Sequence, residues 1–136
     1  ASDVYKRQIV QIGWCDNYCA ASDEILGCVA CSDTIEGIKK EYRSALDFHI
    51  KGMLEDGDEL PEKLKNEYEL VFELDTSAML HSLDGIVTRK AIAKVTGINE
   101  ALLTHYANGF RKPRPVQRQR MLDGIHQIGR ELTLIG

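Results

Sequence analysis

Around Asp75 the spacing of apolar residues changes from two to three and four, a switch that predicts an α+β chain with strands first and helices last. Before it, Tyr68, Leu70, Phe72 and Leu74 alternate with Glu67, Glu69, Glu73 and Asp75. A period of two places the apolar set on one face of a strand and the carboxylates on the other. After it, helical spacing covers residues 77–84, 88–96, 99–108 and 115–135. Two domains are therefore expected, residues 9–75 and residues 76–136, with no internal repeat.

Within the first of these, residues 9–14 read as a strand with Val10, Ile12 and Trp14 alternating. Residues 18–21 can pair with it across the polar turn Asp16-Asn17, and residues 28–32 suit a third strand. Asp33 stands three residues before Glu36, the spacing of a capping box. The helix it opens carries Ile35, Ile38, Tyr42, Ala45, Leu46, His49 and Met53 on one face, and Gly57 and Pro61 end it. The order β-β-β-α-β predicts one helix packed on a largely antiparallel sheet whose other face stays wet. Residues 1–8 show no initiating Met and no apolar periodicity, and are expected to be a non-native leader outside the fold.

A chain of 136 residues with 43% hydrophobic content can bury a core without disulfides or metal. It has no run of eighteen apolar residues and no basic-then-apolar leader, so neither a membrane span nor a secretory signal is expected, and a cytoplasmic location follows. The net charge of −4 conceals a division. Through Gly85 there are 8 Lys/Arg against 18 Asp/Glu, giving −10, and from Ile86 there are 9 against 3, giving +6. The basic part suits a polyanion, and the acidic part suits a basic protein.

The basic part contains the spacing of a helix-turn-helix, from Thr88 through Gly97-Ile98-Asn99 to Asn108-Gly109. Thr88 and Asn99 are good N-caps, Gly97 and Gly109 can end helices in the left-handed conformation, and Ala93 allows the two helices to cross closely. Ile92, Ile98, Leu103 and Tyr106 are then the shared core. Glu100, Ala101, Thr104 and His105 are left on the exposed face of the second helix, where base edges would be met in a major groove. Arg111, Lys112 and Arg114, with Arg118 and Arg120 beyond, supply phosphate contacts, as do Arg89 and Lys90 at the start of the first helix. The apolar stripe Met121, Leu122, Ile125, Ile128, Leu132 and Ile135 exceeds what a short helix needs to close a small domain, and predicts a homodimer or a dimer of dimers.

These residues resemble the Xre or lambda-repressor type of helix-turn-helix, in their order Thr, Ile-Ala, Gly-Ile-Asn and Asn-Gly followed by Arg-Lys-Pro. Upstream, Ile25-Leu-Gly-Cys-Val-Ala-Cys-Ser-Asp-Thr34, Ala45-Leu-Asp-Phe-His-Ile50 and Met53-Leu-Glu-Asp-Gly57, with Leu60-Pro61 beyond, resemble the HicB antitoxin family. The opening hairpin differs, being Gly13-Trp-Cys-Asp-Asn-Tyr-Cys-Ala20 where the family is rich in Gly and Tyr. The resemblance implies a partial RNase H-like domain, lacking nuclease function, that binds a small basic mRNA-cleaving toxin of the HicA type. It also implies a C-terminal domain that binds operator DNA and represses the operon.

Cys15-x3-Cys19 and Cys28-x2-Cys31 invite a four-thiolate zinc site. Parity opposes it, because Cys28 and Cys31 point to opposite faces of an extended strand. The four His, at 49, 81, 105 and 126, are scattered. No catalytic residue, metal ligand or cofactor is assigned, and an enzyme is not expected: RNase H chemistry needs several carboxylates converging on metal. The alternative to the antitoxin is a ligand- or redox-responsive transcriptional regulator with no toxin partner, sensing through its cysteines.

Overall fold

The structure is a computed structural model that describes residues 7–136. The chain is α+β, a four-stranded mixed sheet followed by helices, and it divides into two compact units, Ala1–Asp75 and Thr76–Gly136.

In the first unit β1 (Arg7–Trp14), β2 (Tyr18–Ser22) and β3 (Ile25–Ser32) form an antiparallel meander. The turn after β1 puts Asp16 at a φ of 70°, a left-handed position Asp tolerates because its short side chain can bond locally. β4 (Glu69–Leu74) pairs parallel with β1, opposing Val10 to Phe72 and Ile12 to Leu74, so the sheet order is β3-β2-β1-β4. Helix α1 (Ile35–Glu55) packs across β3 and β2. Its Ile38, Tyr42 and Leu46 are buried together with Val10, Ile12, Tyr18, Ala20, Ile25 and Cys28 from the sheet. Each such aliphatic side chain contributes roughly 1.5–3 kcal/mol through lost water contact. Tyr42 meets Phe72 edge to face, with ring centroids 6.1 Å apart.

Three expectations are corrected here. Arg7 and Gln8, expected to lie outside the fold, are the first residues of β1, because their register against Glu69 and Leu70 continues the parallel ladder. Gln8 is fully buried, and its amide donates to the Lys63 carbonyl at 3.4 Å, a bond between residues far apart in sequence that apolar periodicity cannot reveal. The rest of that segment lies outside the described residues. The cap of α1 is Thr34, not Asp33: the Thr34 hydroxyl accepts from the Gly37 amide at 2.9 Å. The third strand begins at Ile25 instead of residue 28, because a bulge between Ala21 and Ser22 pairs Ser22 with Ile25 across a two-residue turn.

The second unit holds α2 (Thr76–Leu83), α3 (Arg89–Thr96), α4 (Glu100–Ala107) and α5 (Pro115–Leu134). Ile92, Ile98, Leu103 and Tyr106 are buried, as helical spacing predicts, joined by Ala78, Met79, Leu80, Ala107 and Met121. Among the described residues no helix is long and apolar enough to cross a membrane.

Candidate functional site

The residues singled out for function lie on α3, α4 and the segment that follows. Helix α3 starts at Thr88, whose hydroxyl accepts from the Ala91 amide at 3.0 Å. It stops at Gly97, which has a φ of 73° and donates to the Ala93 carbonyl at 2.8 Å. Only glycine takes that conformation freely, and a Cβ there would also stand 2.9 Å from Arg120 Nη2. Two residues later Asn99 opens α4 by accepting from the Ala101 amide at 2.8 Å. Thr96, just before Gly97, ties the turn together: its hydroxyl donates to the Ile92 carbonyl at 2.7 Å and accepts from the Ile98 amide at 3.2 Å.

The far end of α4 is held from α2. Ser77 Oγ donates to the Ala107 carbonyl at 2.6 Å, and His81 Nε2 lies 3.0 Å from the same oxygen. Helix α5 crosses α3 at Gly124, where a Cβ would meet Thr96 Cγ2 at 2.4 Å. One side of α4 is thereby submerged, with Leu103, Tyr106 and Ala107 buried.

On its outer side Glu100, Ala101 and His105 are exposed and Thr104 is half-buried. The His105 ring stands against Phe110, with centroids 6.1 Å apart, and Phe110 is itself 76% exposed. The chain leaves α4 through Phe110, whose amide donates to the His105 carbonyl at 3.0 Å. It then runs without helix or strand through the exposed Arg111, Lys112 and Arg114 to Pro115 at the head of α5. These three cations lie in the segment that joins α4 to α5.

The cations expected to aid them are placed differently. Lys90 is exposed, but the Arg89 guanidinium is 3.3 Å from the Asp84 carboxylate with its side chain mostly covered. Arg118 donates to the Thr76 hydroxyl at 2.6 Å, which makes it a brace between α5 and α2. Thr88 and Asn99 spend their side-chain oxygens on the helix caps. A further cation joins Lys90: Lys94 is exposed and lines, with Lys90, Asn99 and Glu100, a shallow groove between α3 and the start of α4. Its signal was available, because residues four apart share a helix face.

In the first unit the carboxylates of the last strand, Glu69 and Glu73, are exposed on the face of the sheet away from α1, and Glu73 accepts from the Gln11 amide at 3.4 Å. The polar side of α1 is mixed: Lys39, Lys40, Arg43 and Lys51 stand among Glu36, Glu41, Asp47 and Glu55. Arg43 lies over the Phe72 ring at 5.2 Å. The four cysteines are divided between faces. Cys28 is buried toward α1, where burial pushes its thiol above the usual value and contact with Tyr42 partly offsets this. Cys19 and Cys31 oppose each other on the far face with their sulfurs 2.9 Å apart. Among the described residues no three His, Cys, Asp or Glu side chains converge in a way that could hold a metal ion.

No family model matches the chain. It is similar to an uncharacterized 14.9 kDa protein from the rep-hol intergenic region of Haemophilus phage HP1, being 27% identical over 108 residues that cover 77% of this chain and 80% of the phage protein.

Proposed function

We propose that this chain is an antitoxin of the HicB kind. Its first unit binds and neutralises a small basic toxin of the HicA kind that cleaves mRNA, and its second unit binds double-stranded operator DNA and represses its own operon. The observation that carries this reading is the capped, packed pair α3 and α4. The outer side of α4 presents Glu100, Ala101, Thr104 and His105, and the exposed Arg111, Lys112 and Arg114 follow it directly.

A helix of this diameter fits a B-DNA major groove, and cations beside it meet phosphates and fix the register in which base edges are read. The four-helix order supports an Xre-like helix-turn-helix, and the β-β-β-α-β order of the first unit supports a partial RNase H-like domain. Charge supports the division of labour: an acidic unit attracts a basic partner and repels DNA.

The test is a gel-shift titration of the full chain on its own promoter fragment, from low salt upward. Binding should weaken steeply with salt, and R111A/K112A should lower the slope of log K against log salt by about 2, one phosphate contact per cation. Substituting Thr104 or His105 should change sequence preference more than slope. No retardation at low ionic strength would overturn the DNA half of the proposal. For the toxin half, the neighbouring reading frame should encode a short cationic polypeptide, and coexpression with it should give a co-purifying complex and restore growth; a neighbourhood with no such frame would overturn this half.

A second reading is a regulator with no toxin partner whose DNA affinity follows the state of its cysteines. The contact between Cys19 and Cys31 favours it. Promoter binding that changes with oxidant, with no partner recovered, would select it.

A further inference from the structure

Cys19 of β2 and Cys31 of β3 are directly opposed across an antiparallel pair, with Sγ atoms 2.9 Å apart. Their neighbours Tyr18 and Ala20 point under α1, whereas Ala21 and Val29, the next opposed pair on the cysteines' own face, are exposed. Directly opposed residues have Cα separations of roughly 4.5–5.5 Å, inside the roughly 4.4–6.8 Å that a disulfide spans, so the bond can close without moving the backbone. Cys28 is buried on the other face.

We propose that Cys19 and Cys31 form a thiol–disulfide site that closes reversibly against a low-molecular-weight disulfide of the glutathione class. The exposed Cys31 attacks first, as thiolate, on one sulfur of that reagent. The reagent's S–S bond breaks, one of its halves leaves and takes up a proton, and Cys31 carries the other half as a mixed disulfide. Cys19 then gives its proton to water and attacks the Cys31 sulfur. The mixed disulfide breaks, the second half leaves as a thiol, and the Cys19–Cys31 bond remains. Two cysteines lose two electrons, and the reagent is reduced to two thiols that take up the two protons.

The order of attack follows from the site. Cys19 is kept protonated, its pKa pushed up to about 11 first by its hydrogen bond with Cys31 and then by burial, and its Sγ is also 3.5 Å from Asn17 Oδ1. Thiolates, not thiols, are the nucleophiles in exchange. The product ties the edge strand β3 to β2 whatever the second unit binds, so the inference rests on neither functional reading, although the second reading would use this bond as its sensor.

The test equilibrates the full chain in glutathione buffers from fully reduced to fully oxidised, traps thiols with acid and alkylation, and maps the products by mass spectrometry after cleavage at acidic residues. In the unaltered chain two thiols should vanish together with a single midpoint, as one linkage between the Cys19 and Cys31 peptides. C15S/C28S should keep that linkage. C19S should accumulate a glutathione adduct on Cys31 in its place, and C31S should form no linkage. Four alkylatable thiols across the whole range, a bond from Cys15 to Cys19, or bonds only between chains would overturn the proposal.

Discussion

Cys19 is the side chain whose acidity the fold alters in a directly measurable way. Its pKa rises from 9.0 to about 11, chiefly because Cys31 hydrogen-bonds it. A value raised on folding favours the protonated form, so this contribution to stability is complete below pH 9.0 and is lost as pH climbs toward about 11. C31A removes the largest cause, and the pH midpoint for iodoacetamide labelling of Cys19, followed peptide by peptide, should move down toward the ordinary thiol value. An unshifted profile would assign the effect to burial instead. Two glycines of α5 make a second contrast. A Cβ at Gly124 would stand 2.4 Å from Thr96 Cγ2, whereas one at Gly129 meets nothing within 4 Å. G124A should cost about 1–3 kcal/mol by overpacking, and G129A should stabilise by about 0.5–1 kcal/mol because alanine loses less backbone freedom in a helix. Urea denaturation must give opposite signs for the pair if α5 passes α3 at Gly124.

Caps decide where the three best-defined helices begin. Thr34, Thr88 and Asn99 each accept from a backbone amide in the first turn, so T34A, T88A and N99A should each cost about 1 kcal/mol in thermal or chemical denaturation. D33A should cost little, since Asp33 is exposed and the capping bond belongs to its neighbour. That pair shows how far local reading reaches. The start of α1 was legible to within one residue, because Asp and Thr both suit a cap and only the backbone dihedrals choose between them. The caps of α3 and α4 and the core residues Ile92, Ile98, Leu103 and Tyr106 were legible outright, because each depends on neighbours within one or two turns. What escaped depends on partners far away in sequence. The parallel ladder of β1 with β4, which makes Gln8 part of the sheet, joins segments separated by α1. The bond from Arg118 to Thr76 spans 42 positions, and it turns an expected phosphate ligand into a brace. The meeting of Cys19 with Cys31 requires the hairpin register, which a bulge sets and no periodicity encodes.

Charge is the property that only the whole chain expresses. Ala1–Asp75 carries 8 Lys/Arg against 17 Asp/Glu, and Thr76–Gly136 carries 9 against 4, so −9 is tethered to +5. Fixed charges on one chain act on a polyanion together at distances up to the screening length, which is about 30 Å at 0.01 M salt and about 3 Å at 1 M. If the basic unit binds operator DNA as proposed, the acidic unit must weaken that binding at low ionic strength, to a degree that salt erases. A fragment of residues 76–136 should bind the promoter more tightly than the full chain at low salt, and the two curves should converge as salt rises. A basic protein bound to the first unit would cancel part of the same repulsion, so a captured toxin should move the full chain toward the behaviour of the fragment. That outcome links neutralisation to repression through electrostatics alone, without a conformational change. If the fragment and the full chain bind with equal affinity at every salt concentration, the opposed charges have no part in DNA recognition, and any coupling between partners must come from association of subunits.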